Sequence, residues 1–126
     1  MSTTVLNITS SGPDVRAYAH CAVGGGVTLA LLNIALNETV KVTLPASLAQ
    51  AEREEFILSA GQKIEGAVSP LQSKEVKLNG KTLALGAGGS LPHIDGKAGK
   101  AGPTLQLSPT TYGFVRFPHA QLAPCT

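Results

Sequence analysis

A chain of 126 residues fits one domain, spanning 1–126, since domains commonly run about 100–200 residues. Hydrophobic residues make up 43% and charged residues only 14%, which supports a packed core and excludes disorder along the whole length. The formal net charge is +2, with ten basic residues scattered from Arg16 to Arg116; the scatter speaks against the clustered basic face that nucleic-acid binding requires, and no nucleic-acid partner is expected.

Met1-Ser2-Thr3-Thr4 lacks the basic start and apolar stretch of a signal peptide. No apolar run approaches the ~18 residues that cross a bilayer, the longest (27–36) being interrupted by Thr28 and Asn33, so no transmembrane segment is expected. Val15, Ala17 and Ala19 alternate with Arg16, Tyr18 and His20, the period of a half-buried strand over 15–22. Gly24-Gly25-Gly26 precedes the next strand and reads as a hairpin turn; neither the Lys-Ser/Thr nor the helix of a phosphate loop follows it. Residues 27–36 are apolar on both faces, Val27, Leu29 and Leu31 against Ala30, Leu32 and Ile34, which suits a central strand covered on each side. Asn37-Glu38 offers turn residues, and Val40, Val42 and Leu44 then alternate with Lys41 and Thr43, so 27–36 and 40–44 read as an antiparallel hairpin. Ala46 to Gln50 has room only for a short helical turn.

Strand character resumes over 52–58, with Phe56 and Leu58 on one face and the strand itself expected at 56–58, and Gly, Pro and Ser then mark a loop over 61–70. Segments 76–78 and 83–85 flank Asn79-Gly80, a dipeptide that favours a type I′ turn because both central residues take positive φ. The Gly-, Ala-, Pro- and Lys-rich stretch 86–103 is expected to be a flexible loop, with Lys97 and Lys100 solvated within it. Leu105 and Leu107 start another strand, Pro109 breaks it, and 112–117 forms the last. Seven to nine short strands with regular turn signals and no convincing helix predict an all-β fold, an antiparallel β-sandwich of two packed sheets.

Residues that carry chemistry are sparse. Glycoside hydrolysis needs two carboxylates flanking the scissile bond, about 5 Å or roughly 6.5–9.5 Å apart. Among Asp14, Glu38, Glu52, Glu54, Glu55, Glu65, Glu75 and Asp95, only Glu52, Glu54 and Glu55 cluster, beside Arg53, and they read as a solvated strand edge kept from aggregating by charge. His20, His93 and His119 are isolated, so no metal site is expected; no Gly-x-Ser-x-Gly elbow occurs, and nothing implies a cofactor. With no Trp and 4% aromatics, little is left to line a sugar-binding platform. Cys21 and Cys125 leave two readings open, unrelated buried thiols or a disulfide closing nearly the whole chain. Two candidate N-glycosylation sequons, Asn7-Ile8-Thr9 and Asn37-Glu38-Thr39, tilt the balance towards an oxidising compartment.

Val15-Arg16-Ala17-Tyr18-Ala19-His20-Cys21-Ala22, followed by Gly26-Val27-Thr28-Leu29-Ala30-Leu31-Leu32-Asn33-Ile34, resembles the C-terminal region of heparanases and plant heparanase-like proteins, glycoside hydrolase family 79. Members show a Val/Arg-x-Tyr-x-His-Cys strand, then a Gly-Val/Leu-Thr-Leu strand ending in Asn. Arg53-Glu54-Glu55-Phe56-Ile57-Leu58 resembles the Arg-Glu-Glu-Tyr-His-Leu of the plant proteins, with Phe56 in place of the usual Tyr. Val76-Lys77-Leu78-Asn79-Gly80-Lys81-Thr82-Leu83 is similar to their Leu-Asn-Gly hairpin, and Leu107-Ser108-Pro109, Phe114-Val115 and Ala123-Pro124-Cys125 resemble the last strand and terminal Cys. The resemblance runs in order along almost the whole chain, although the 86–102 loop is richer in Gly and Lys than the family's.

Such enzymes carry their proton-donor Glu and nucleophile Glu on a (β/α)8 barrel, with a β-sandwich packed beside it; the Asn-Glu pair here, Asn37-Glu38, falls in the turn and sequon and is not one of the barrel's motifs. The resemblance therefore implies a non-catalytic sandwich, inactive alone, that supports folding, secretion and packing of an endo- or exo-β-glucuronidase. Its partner would be the catalytic barrel and, through the barrel, a glucuronide-containing polysaccharide. The chain would then be a domain fragment or truncated product of a parent that is extracellular, cell-wall- or membrane-associated, lysosomal or vacuolar. The resemblance also implies that Cys21 and Cys125 pair. The alternative is a free-standing carbohydrate-binding or structural β-sandwich.

Overall fold

The computed structural model describes the chain apart from residues 1, 9–11, 62–64 and 67–68, so Thr9 of the first sequon and part of the 61–70 loop lie outside the described residues. Period-two alternation is realised first in β1 (Val5–Leu6), β2 (Val15–Cys21) and β3 (Val27–Asn33), all antiparallel neighbours. β2 and β3 join through the triglycine turn, closed by the Ala22 amide donating to the Gly26 carbonyl at 2.7 Å. Then come β4 (Val40–Thr43), the one-turn helix α1 (Ala46–Ala49), β5 (Arg53–Ala60), β6 (Val76–Leu78), β7 (Lys81–Thr82), β8 (Lys97–Gly99), β9 (Thr104–Leu107) and β10 (Thr111–Phe117).

Two antiparallel sheets result. The larger has the order β1-β2-β3-β10-β5-β6-β7, with β8 also paired to β5; the smaller is the β4–β9 ribbon. β10 lies at the centre of the large sheet, in register from Thr111 opposite Asn33 to Phe117 opposite Val27 on one side, and from Tyr112 opposite Leu58 to Arg116 opposite Glu54 on the other. Its alternate residues Thr111, Gly113, Val115 and Phe117 are buried while Tyr112 and Arg116 are exposed. The core forms where this inner face meets the ribbon and α1: Ala19, Val27, Leu29, Leu31, Val115 and Phe117 pack with Leu44, Leu48, Leu105, Leu107 and Ala120. The arrangement is a β-sandwich, as the alternating pattern predicts, with ten strands among the described residues against the seven to nine expected.

Four sequence expectations need correcting. Segments 27–36 and 40–44 do not form a hairpin, because β3 pairs with β2 and β10 whereas β4 pairs with β9 in the other layer. The diversion is made by Asn33, buried to 2% exposure, whose Nδ2 donates to the carbonyls of Glu38 (2.8 Å), Leu107 (3.0 Å) and Ser108 (3.0 Å) while its Oδ1 accepts from the Ala35 amide (3.0 Å). Secondly, the strand expected at 83–85 is β7 at Lys81–Thr82: Asn79 (φ 48°) and Gly80 (φ 83°) make the two-residue turn, so the ladder starts at once. Thirdly, the 86–103 stretch holds β8, with Arg53 opposite Gly99 and Glu55 opposite Lys97; Ala98 and Gly99 carry too little side chain to show a pattern, but their backbone still satisfies one edge of β5. Fourthly, Glu52 to Glu55 is no free edge, since β5 runs from Arg53 to Ala60 with β10 on one side and β6 and β8 on the other.

Candidate interaction face

The acidic cluster is split by the pleat. Glu54 and Glu55 are neighbours on one strand and so point to opposite faces of the sheet. Glu55 Oε1 accepts from Arg53 Nε at 2.8 Å, with Arg53 buried, and Glu54 Oε2 lies 3.4 Å from Arg116 Nη1 on the other face. Asp95 pairs with the equally exposed His93, at 3.2 Å. Among the described residues no three His, Cys, Asp or Glu side chains converge as metal ligands. His20 sits on β2 with its Nδ1 buried and without a hydrogen-bond partner among the described residues. The clustered carboxylates therefore do not face one another across a cleft.

What the strand order does assemble is an apolar face. Directly paired residues share a face, and tracing the registers outward gives three rows on the side away from the core. The first is Tyr18, Ala30, Phe114, Phe56; the second is Arg16, Leu32, Tyr112, Leu58, Leu78; the third is His20, Thr28, Arg116, Glu54, Ala98. Of the chain's two Tyr and three Phe, four stand in the first two rows, and only Phe117 belongs to the core. Tyr18 is 53% exposed, Tyr112 44% and Ile34, just past the end of β3, 50%. Phe56, Leu58, Phe114 and Leu32 are half-buried, with Gly96 close against the Phe56 ring, and Leu78 at the end of the second row is buried. Ring and aliphatic surface thus lies at the centre, and the charged Arg16, Arg116 and Glu54 stand towards the rim. Sequence reasoning counted these aromatics as too few for a site; their alignment depends on β2, β3, β10 and β5 being adjacent, which no local pattern reveals.

β5 shows the same incompleteness on its inner side. It is an interior strand, yet beyond Arg53 every residue to Ala60 is only half-buried. Glu55, Ile57 and Lys97 line two adjoining open grooves, of about 570 and 380 Å³, beside β9 and the turn at Pro109-Thr110.

At the far end of β2, Cys21 is joined to Cys125 by a disulfide across 104 residues of sequence, with Cα atoms 5.2 Å apart. Cys125 sits in a 3₁₀ turn (Ala123–Cys125) and packs on the edge of the core. Of the sequons, Asn37, Glu38 and Thr39 are all exposed between β3 and β4, and Asn7 is exposed after β1. No helix among the described residues is long and apolar enough to cross a membrane.

No family model matches the chain. Among curated proteins it is similar to baicalin-beta-D-glucuronidase of Scutellaria baicalensis, 33% identical over 106 residues, which is 83% of this chain and 19% of that protein. It is 32% identical over 119 residues to inactive heparanase-2 of Mus musculus (88% and 19%) and 30% identical over 131 residues to heparanase of Bos taurus (96% and 23%). The chain thus spans about a fifth of the length of the curated relatives it matches.

Proposed function

Since the chain belongs to the heparanase-like family, glycoside hydrolase family 79, and corresponds to the C-terminal domain of its members, we propose that it is the non-catalytic β-sandwich of a larger glycosidase and docks on that enzyme's (β/α)8 barrel. The observation that carries this reading is the outer face of the large sheet, with four of the five aromatic residues lying among aliphatic neighbours and left half-covered. A contiguous apolar patch of this kind marks a surface that a partner covers. Its apolar centre and charged rim follow the anatomy of protein interfaces. The domain then covers a flank of the barrel and helps the parent fold and leave the cell, while the barrel alone handles a glucuronide-bearing substrate. In this reading bond cleavage falls to the barrel, because Glu54 and Glu55 face opposite ways and cannot flank one bond.

The same aromatics support a second reading, a face that stacks sugars directly. Aliphatic Leu32, Leu58 and Ala30 between the rings favour protein over saccharide, because a sugar needs hydrogen-bonding groups beside each ring. One set of measurements separates the two. The isolated chain should self-associate with rising concentration, or bind the separately expressed barrel portion of a heparanase-like enzyme. Tyr18→Asp and Tyr112→Asp should abolish either behaviour while far-UV circular dichroism is unchanged. It should release no product from glucuronide substrates; turnover removed by Glu54→Gln or Glu55→Gln sinks the non-catalytic reading. Calorimetric binding of glucuronide oligosaccharides, lost in Tyr18→Ala, transfers the face to the second reading.

A further inference from the structure

We propose that Asn79-Gly80 is a deamidation site held latent by the fold, because the Asn79 side chain is also the rung that fastens the β6–β7 hairpin to β5. On the edge of β5 that faces away from β10, β6 pairs with Leu58 to Ala60 and β8 with Arg53 to Glu55. Neither strand reaches Ile57. Asn79 fills that gap from the hairpin turn. Its backbone amide donates to the Ile57 carbonyl at 2.8 Å, its Oδ1 accepts from the Ile57 amide at 2.9 Å and its Nδ2 donates to the Glu55 carbonyl at 2.9 Å. A carboxamide can stand in for a peptide group in this way because it carries both a donor and an acceptor.

An Asn-Gly pair alone is a weak pattern, and the position adds two things to it. Of the four asparagines, Asn7, Asn33 and Asn37 precede Ile8, Ile34 and Glu38, whose side chains crowd the next backbone nitrogen, whereas Asn79 precedes a residue with none. Gly80 is exposed, and a Cβ on it would meet nothing within 4 Å, so the turn is open to water. Against this, both polar atoms of the Asn79 amide are engaged on β5, which keeps the amide from swinging towards the Gly80 nitrogen.

The reaction therefore waits for local opening of the hairpin. Once the amide is free, the Gly80 nitrogen loses its proton and attacks Asn79 Cγ. The new carbon–nitrogen bond closes a five-membered succinimide, the Cγ–Nδ2 bond breaks, and the nitrogen leaves as ammonia. Water then adds to either ring carbonyl and opens the ring to Asp or to β-linked isoaspartate, so that one water enters and one ammonia leaves. Neither product rebuilds the rung. Asp sets an acceptor oxygen where Nδ2 donated to the Glu55 carbonyl, and isoaspartate adds a methylene to a two-residue turn. A transient opening thereby becomes a permanent loosening of this edge, whatever covers the outer face.

The test is peptide mapping by mass spectrometry of the full chain aged at mildly alkaline pH, either folded or in guanidinium with the disulfide intact. In denaturant Asn79 should deamidate faster than Asn7, Asn33 and Asn37 and give both linkages. In the folded chain it should be slower by about tenfold or more, the factor set by two hydrogen bonds of ordinary net strength. Leu78→Ala, which removes a buried side chain beside the turn, should raise the folded rate and leave the denatured rate unchanged. Asn79→Asp should speed hydrogen exchange at the Ile57 amide and in β6 while β2 and β3 stay protected. Equal rates at Asn79 in folded and denatured chain overturn the latency, and a denatured rate no higher than that of Asn37 overturns the site. Unchanged exchange at Ile57 in Asn79→Asp overturns the rung. The two rate comparisons need no variant, so they decide the matter even where Asn79→Asp does not fold.

Discussion

Gly26 stands where the β2–β3 turn meets the end of β10, and a Cβ there would lie 2.6 Å from the Phe117 carbonyl oxygen and 2.9 Å from that of Pro118. Both obstacles are backbone, which cannot rotate away. Gly113 is also tight, with a Cβ placed 2.5 Å from Ile57 Cδ1, the end of a flexible side chain, and 3.2 Å from the Phe56 carbonyl oxygen. Gly26→Ala should therefore destabilise by about 2 kcal/mol, within the usual range for overpacking. Gly113→Ala should cost less than Gly26→Ala, because Ile57 can shift and the smaller unfolded-state entropy returns about 0.4–1 kcal/mol, which leaves only the 3.2 Å approach to the Phe56 carbonyl. Urea titration of the two variants checks the ordering, and equal losses would show that the Gly26 approach is not the constraint. At this scale the sequence exposed the cysteine pair and the sequons, whose chemistry is carried by residue type. It hid Asn33, which looks like a flaw in an apolar run until the three carbonyls around it are seen.

Among the elements, what was legible followed from period two. β2, β3, β4, β9 and β10 lie close to where alternation puts them, and the Asn79-Gly80 hairpin turns as its chemistry demands. Pairing was less legible. Asn37-Glu38 signals that the chain reverses, but a reversal serves a hairpin and a layer crossing equally well, and buried hydrogen bonding decides between them. Asn33→Leu tests that account: it keeps the branching of the side chain but strands the carbonyls of Glu38 and Leu107 and the Ala35 amide, while the Ser108 carbonyl keeps the Thr111 hydroxyl. Unpaired buried polar groups cost about 1–3 kcal/mol each, with some relaxation, so a total loss of about 3 kcal/mol is expected. Hydrogen exchange should rise in β4 and β9 while β2 and β3 stay protected. Uniform acceleration through both sheets would mean that Asn33 does not govern the crossing. The outer face was the least legible part, since it exists only through the spatial order β2-β3-β10-β5, in which β10 comes from the far end of the chain.

Over the whole molecule, both ends of the chain converge on Cys21: the Ser2 amide donates to its carbonyl at 2.7 Å, its own amide donates to the Thr4 carbonyl at 3.0 Å, and its sulfur is bonded to Cys125. Beyond β10 the tail is held by local turns, including Leu122 to Ala120 at 2.7 Å and Cys125 to Leu122 at 2.8 Å, with no ladder of its own. Closing a loop of about 100 residues stabilises by roughly 4–5 kcal/mol in the chain-entropy description. Reduction should therefore lower Tm by on the order of 15 °C, with exchange appearing first after Phe117 and last in β3 and β10. A reduced chain that melts where the oxidised one does would remove the disulfide from any stabilising role. The bond has a mechanical side as well. A force applied between the two ends of this sequence strips β1 and β2 from the large sheet and is then carried across the Cys21–Cys125 link, so β3 to β10 are spared. The oxidised chain can then lengthen by at most about 70 Å before the covalent link is loaded, against roughly 400 Å once it is cut, so under tension the sandwich behaves as a rigid bead on a short tether.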